Sequence, residues 1–337
     1  MQPDERTAPV TDHGGDLAAA RRRFPQAPEP WIDLSTGISP FPYPYSPPPA
    51  TAYSRLPEPQ DEARLREVAA QAYGAPSTEN VVAAPGTQIL LPDLFALQKP
   101  GRAVIVGPTY AEHARVAALC RHECAEAGEL PALENADLAV VVNPNNPDGR
   151  VFERAELLAM AGTFAARGGL LVVDEAFMDV GPDGASLADD VEDLPVVVLR
   201  SFGKFHGLAG VRLGFAIASQ ATAGRLRDRL GPWAVSGPAL AIGTEALADD
   251  QWRREHRARL DGAAERLRAM LESAGLEIAG GTSLFQLARH RDAARLHETL
   301  GRSGILTRAF ARDHEILRFG LPGDEAAWGR LHDALIL

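Results

Sequence analysis

At 337 residues with 45% hydrophobic content, the chain can bury one large core and a smaller one, and its composition is that of a soluble globular protein. A net charge of -11 opposes broad attraction to nucleic acid or anionic lipid, so positive charge is expected to matter only in a local pocket. No apolar run approaches the roughly 18 residues of a membrane span, and Met1-Gln-Pro-Asp-Glu-Arg6 lacks the basic and apolar parts of a secretory leader, so a cytoplasmic location is expected.

Residues 1–50 read as an extended arm. They are rich in proline and glycine and end in Ser39-Pro-Phe-Pro-Tyr-Pro-Tyr-Ser-Pro-Pro-Pro49, where proline blocks both helix and central strand. Residues 51–219 alternate short apolar runs, at 81–83, 103–106, 138–142, 170–173, 196–199 and 213–217, with helical stretches near 61–73, 87–98, 110–121 and 153–166. Uninterrupted β-branched runs joined by helices predict an α/β domain, with a mostly parallel sheet covered on both faces and its sites at the strand C-terminal ends. Cys120 and Cys124, the only cysteines, fall four apart on a predicted helix. Two cysteines are too few for a disulfide framework, and with no second ligand pair at a recognisable spacing no metal site is expected. From about 220 the chain turns to Arg-rich amphipathic helices near 220–230, 236–249 and 251–274, then to short strands near 284–288, 305–309 and 315–319. That change predicts a smaller α+β domain over 220–337.

Only two of the 34 basic residues are lysines, Lys99 and Lys204. Arginine stays protonated in a protein, whereas a lysine amine can lose its proton near neutrality and act as a nucleophile. Lys204 sits in Ser201-Phe-Gly-Lys-Phe-His-Gly-Leu-Ala-Gly-Val-Arg-Leu-Gly214. A phosphate-binding P-loop needs Ser or Thr after its lysine, and Phe205 stands there. The Ser201-x-x-Lys204 pair of penicillin-recognising hydrolases needs a Lys-Thr-Gly element, and Lys99 is followed by Pro100.

What remains is an amine that condenses with a carbonyl, such as the aldehyde of pyridoxal 5'-phosphate (PLP). PLP requires a carboxylate beside its pyridine nitrogen, and Asp174 ends the apolar run at 170–173. Its phosphate requires backbone N–H groups, hydroxyls and a cation, available from Pro85-Gly86-Thr87-Gln88, Ser201 and Arg212. Tyr110 offers an aromatic face for the ring, and Asn146, in Asn143-Pro-Asn-Asn-Pro-Asp-Gly149, offers an amide.

With these motifs in this order the chain resembles the aspartate-aminotransferase-like superfamily of PLP enzymes, fold type I. The resemblance implies that Lys204 bonds the cofactor aldehyde, Asp174 pairs with the pyridine nitrogen, Asn146 bonds the ring O3' and Tyr110 stacks on the ring. Gly86, Thr87, Gln88, Ser201 and Arg212 would line the phosphate end. Arg318, in Glu315-Ile-Leu-Arg-Phe-Gly320, matches the arginine that clamps a substrate carboxylate.

Two departures stand out. Phe177 replaces the tyrosine many relatives carry, and Asn146-Pro-Asp-Gly149 replaces Asn-Pro-Thr-Gly. Together with His13-Gly-Gly-Asp-Leu17 and Trp31-Ile-Asp-Leu-Ser-Thr-Gly37, they look like the threonine-phosphate decarboxylase group of cobalamin biosynthesis, kin of histidinol-phosphate aminotransferases. This group loses CO2 from L-threonine O-3-phosphate to give (R)-1-amino-2-propanol O-2-phosphate.

The substrate phosphate would draw its donors from His13, Ser35, the backbone near Gly37, Asn146 and Arg318. The alternatives are an aminotransferase using the same lysine and, in another class, a non-catalytic PLP-binding module. The resemblance also implies a homodimer with the arm at its interface. Tyr53 departs from the relatives' spacing to the following proline, which leaves its reach to a neighbouring cofactor open.

Overall fold

A computed structural model describes residues 13–336. Residues 1–12, the first part of the expected arm, lie outside the described residues. The chain divides into two compact units. One comprises Tyr43–Asn146 and Val151–Arg253; the other comprises residues 13–42, Pro147–Arg150 and residues 254–336.

The larger unit is built on a seven-stranded sheet. Its strands lie in the order Val81–Ala84, Gly214–Ala218, Val196–Ser201, Leu170–Asp174, Leu138–Val142, Arg102–Val106 and Glu123–Ala127. The five inner strands carry the uninterrupted apolar runs because both of their faces are covered. Alternate side chains part to opposite faces, as the two-residue pleat requires. Val104, Val106, Val141, Leu171, Val173 and Val198 enter one core with Leu65, Leu157, Phe164 and Leu240. Ala103, Ile105, Val140, Val172, Val197 and Leu199 enter the other, with Leu91, Phe95, Val116 and Leu226. The helices Gln220–Leu230 and Gly237–Ala248 thus cover this sheet, although the stretch from 220 onward reads as the start of a new domain. In Gln220–Leu230 the packing stripe is Ala223 and Leu226, and in Gly237–Ala248, which has no arginine, it includes Leu240 and Ile242.

The sheet is mostly parallel, as the sequence leads one to expect, with one strand reversed, while the expected helix across both cysteines gives way. Gly214–Ala218 runs antiparallel to both neighbours, while the other neighbouring pairs are parallel. The connection from Val196–Ser201 contains only the turns Phe202–Phe205 and Ala209–Val211, too little helix for a parallel crossover. Cys120 and Cys124 do not share a helix: Cys120 caps Glu112–Leu119, Arg121 takes a left-handed φ of 65°, and Cys124 lies on the exposed edge strand Glu123–Ala127. An edge strand of alternating charge gives no apolar run to read. Both cysteines are unpaired thiols, and no metal-ligand cluster occurs among the described residues.

The smaller unit has a four-stranded antiparallel sheet in the order Arg308–Phe310, Asp313–Gly320, Phe285–Arg289, Glu277–Thr282, with helices Ala293–Arg302 and Glu325–Ile336. Residues 13–42 belong to it and do not form a separate arm. Asp16 accepts the Ala19 amide at 2.8 Å and starts the helix Leu17–Arg23, and Ile32–Asp33 pairs in parallel with Ile305–Leu306. Ala20, Phe24 and Trp31 bury a small core beneath that helix. The prolines that suggested an arm interrupt these elements without preventing them.

Candidate active site

Six of the sheet's seven strands point the same way, and the reversed strand delivers its beginning to the edge where their ends lie. In register, Gly214 is opposite Ala84 and Ser201, Asp174 is opposite Val142, and Leu199 is opposite Asp174. The segments 85–88, 107–110, 143–146, 174–177, 201–204 and 212–214 therefore issue from one edge. This unit holds every sequence-predicted site residue between Gly86 and Arg212.

Lys204 sits on the one-turn helix Phe202–Phe205, clamped by the buried Phe202 and Phe205. Its amine lies 6.0 Å from the centre of the Phe177 ring. Asp174 is buried, accepting the Ala176 amide on Oδ1 at 3.1 Å and lying 2.9 Å from His113 Nε2 through Oδ2. His113 is fully buried and meets Tyr110 edge-on at 5.6 Å. The contact between the ring and Asp174 Oδ2 fixes the carboxylate plane. A buried carboxylate at this edge can accept a cation, and a pyridinium suits it.

At the opposite end of this set, two glycines clear a cradle. Gly86 has φ of 86°, and a Cβ there would lie 2.8 Å from Arg212 Nη2. A Cβ on Gly214 would lie 2.6 Å from the Thr87 backbone nitrogen. Arg212 itself takes a left-handed φ of 56°, uncommon for a side-chain-bearing residue, and donates to Ala209 O at 3.2 Å. Thr87 N–H, Arg212 and the half-buried Ser201 make a donor set suited to a phosphate. Carboxylate, amine and cradle together are the requirements of a phosphorylated pyridine aldehyde.

Asn146 is held by its neighbours. Asn143 exchanges hydrogen bonds with the Phe152 backbone, at 2.9 and 3.4 Å, while Asn145 accepts from Thr109 at 2.7 Å and donates to Pro108 O at 3.1 Å. Tyr110 donates to Gln88 Oε1 at 3.2 Å, and Gln88 Nε2 donates to Glu112 at 2.8 Å. The Gln88 amide is thus turned to Tyr110 and Glu112. Burial, then Glu112 and Asp174, pushes the Tyr110 phenol up to about 12, so it stays protonated.

Behind Asp174 runs a buried ion cluster. Arg200 reaches Glu175 at 3.1 Å and Asp179 at 3.1 Å, and lies 4.4 Å from the centre of the Tyr73 ring. Glu175 also accepts from Ser186 at 2.6 Å and the Leu187 amide at 3.0 Å. Burial pushes the Glu175 carboxyl up, against the pull of Arg200 and of the Ser186 and Leu187 hydrogen bonds.

The smaller unit contains the other predicted residues. Arg318 is buried and donates to Ser35 O at 2.6 Å. Burial and the nearby Arg308 push its guanidinium down to about 10, with Asp33 pulling back. Ser35 donates its one hydroxyl proton to Asp33 at 2.6 Å and accepts the Gly15 amide at 2.7 Å. These two hydrogen bonds make the hydroxyl a pin that holds the chain at Asp33 and Gly15. A Cβ on Gly14 would lie 2.3 Å from Ser35 O, which is why the segment after His13 carries glycine. His13 is exposed and Gly37 buried.

The sequence reading missed His113, Arg308 and Asp33. His113, in the first turn of the helix Glu112–Leu119, follows Tyr110 by three residues and donates its backbone N–H to Tyr110 O, a spacing that could have marked it. Arg308 is visible only through its register opposite Arg318.

Residues 51–321 match the family described as aminotransferase class I and II. The threonine-phosphate decarboxylase of Pseudomonas aeruginosa is 45% identical over 330 residues, 97% of this chain and 98% of that one. The threonine-phosphate decarboxylase of a Sinorhizobium species is 44% identical, with 98% of each chain covered. In fold, the chain is similar to histidinol-phosphate aminotransferase from Sinorhizobium meliloti in complex with pyridoxal-5'-phosphate, with a TM-score of 0.81, 21% identity and coverage of 100% of this chain and 98% of that one.

Proposed function

Because this chain belongs to the class I and II aminotransferase family, we propose that it is a PLP enzyme that decarboxylates L-threonine O-3-phosphate to (R)-1-amino-2-propanol O-2-phosphate in cobalamin biosynthesis. The near full-length identity to two threonine-phosphate decarboxylases supports the reaction. The structural observation that carries the substrate class is Arg308 directly opposite Arg318 on adjacent strands. Directly opposed residues share a face, and like charges there repel unless an anion lies between them. Two guanidiniums suit a substrate bearing both a carboxylate and a phosphate.

Asp174 would hold the proton on the pyridine nitrogen, with His113 fixing its plane. Gly86, Thr87, Ser201 and Arg212 would hold the cofactor phosphate, Tyr110 would cover the ring and Asn146 would bond O3'. Phe177 supplies no hydroxyl there. Bound in this way, PLP supplies an electron sink for the pair left on the substrate α-carbon when CO2 departs. Lys204 Nζ would hold the cofactor aldehyde and, as a free amine, would carry the proton that the α-carbon gains. The net change is loss of CO2 and gain of one proton at that carbon. Arg318, with Arg308, would bind the substrate's anions.

Incubating the protein with threonine phosphate is expected to release CO2 without any keto acid. Amino transfer to 2-oxoglutarate with no CO2 would instead establish the aminotransferase reading.

We also propose a homodimer working in the cytoplasm. Exposed Tyr53, Leu56 and Trp233 lie in the larger unit, which also has a groove lined by Ala52, Leu56, Leu240 and Ala241. A second copy would cover these apolar groups. Sedimentation is expected to give twice the chain mass, and a fully active monomer would contradict this. No helix among the described residues is long and apolar enough to cross a membrane.

A further inference from the structure

We propose that Glu112 and Arg115 are positioning residues that set the orientation of the Tyr110 ring through Gln88. The inference rests on the reading of Tyr110 as the face covering the PLP ring.

The chain of hydrogen bonds has a fixed polarity. Arg115 can only donate, and grips Glu112 through Nε at 2.9 and 3.0 Å and through Nη2 at 2.6 Å. An ionised carboxylate can only accept, so Glu112 takes the Nε2 hydrogen of Gln88 at 2.8 Å. That choice removes the ambiguity of the Gln88 amide and turns Oε1 to Tyr110, whose hydroxyl must then be the donor at 3.2 Å. A guanidinium two residues beyond His113 therefore determines where a phenol proton points.

Glu112 is nearly fully buried, an unusual place for a carboxylate that only braces a surface. Tyr110 is held at two places, its hydroxyl by Gln88 and its edge by His113, which in turn holds Asp174. The ring plane and the carboxylate are thus set from one helix, Glu112–Leu119. Gln88 acts through Tyr110, and neither end of its amide is directed to a phosphate.

The test is Glu112→Gln. An amide can donate as well as accept, which removes the polarity and the Arg115 ion pair together. The groups acting on the phenol are Glu112, Asp174, Arg115 and Arg212, with the His113 ring at its edge. Removing the Glu112 charge is expected to bring the Tyr110 phenol down from about 12, read by alkaline absorbance titration as the difference from the same protein carrying Tyr110→Phe. The visible circular dichroism of the bound cofactor is expected to weaken, and its dissociation constant to rise about 3–10-fold, the worth of one net hydrogen bond.

Unchanged titration and unchanged dichroism, with only a lower melting temperature, would overturn the proposal and leave a structural ion pair. Should Glu112→Gln not fold, Gln88→Met breaks the same link and must weaken the dichroism; an unaltered spectrum overturns the proposal equally. If the wild-type protein bound no PLP, the reading of the site would fail, while the phenol titration would still decide the hydrogen-bond chain.

Discussion

Lys204→Ala is expected to abolish the visible absorbance of the bound cofactor and to lower kcat by at least roughly 10²–10⁴-fold, the range a single general acid–base group contributes. The loss has two sources. Without Nζ no covalent bond to the aldehyde forms, and no amine remains to return a proton to the α-carbon. Lys204→Arg is expected to be equally inactive, because a guanidinium keeps the charge and cannot deprotonate to condense. Lys99→Ala serves as the control: Lys99 is exposed beside Pro100, and its loss is expected to leave spectrum and rate unchanged. A Lys204→Ala protein with the wild-type spectrum would refute the assignment.

Arg200→Ala is expected to be the most destabilising single change away from that chemistry, at about 3–5 kcal/mol, the cost of breaking a buried pair. Its side chain is 5% exposed, between Glu175 at 0% and Asp179 at 3%. Removing it strands two carboxylates without a cation. A fall in Tm of roughly 5–15 °C by calorimetry would match that cost.

The effect should depend on pH. Burial already pushes Glu175 up, and deleting Arg200 takes away the charge that opposes this. A carboxyl raised in the folded state binds more protons there than in the unfolded chain, so stability falls as pH rises through the interval between the two values. The variant is therefore expected to lose less near pH 5 than near pH 8. Replacing Glu175 and Asp179 by Gln and Asn alongside Arg200→Met should recover much of the loss. A uniform loss across pH, unrelieved by the amides, would show that the cluster's charges are not what Arg200 supports.

What the sequence made legible follows from how far each feature reaches along the chain. Buried runs such as 138–142 and 170–174 announce themselves locally, and the residues that end them, Asn143 and Asp174, inherit a place at the sheet edge. Lys204 and Arg212 were visible for the same reason, a few residues past a strand. The reversal of Gly214–Ala218 was not, because its run looks the same in either direction. Glu123–Ala127 escaped because an exposed edge strand has no apolar run. The partners of Ser35, Asp33 and Gly15, were not visible because they are defined by a turn and by a segment 20 residues away. Arg308 needed the register of a hairpin to reveal its opposite number.

The pairing of Ile32–Asp33 with Ile305–Leu306 sets a timetable for synthesis. Ile32 waits for a partner 273 residues later (305 − 32), which at about 5–20 residues per second is roughly 14–55 s on the ribosome. Throughout that interval the helix Leu17–Arg23 and its apolar residues Phe24 and Trp31 have been made, but the strand they accompany has nothing to join. The chain also passes between its two units at 42–43, 146–147, 150–151 and 253–254, so no early stretch of it is a finished unit. A nascent chain halted before residue 305 therefore carries an uncovered aromatic patch near its start, a ready target for chaperones that hold unfinished proteins.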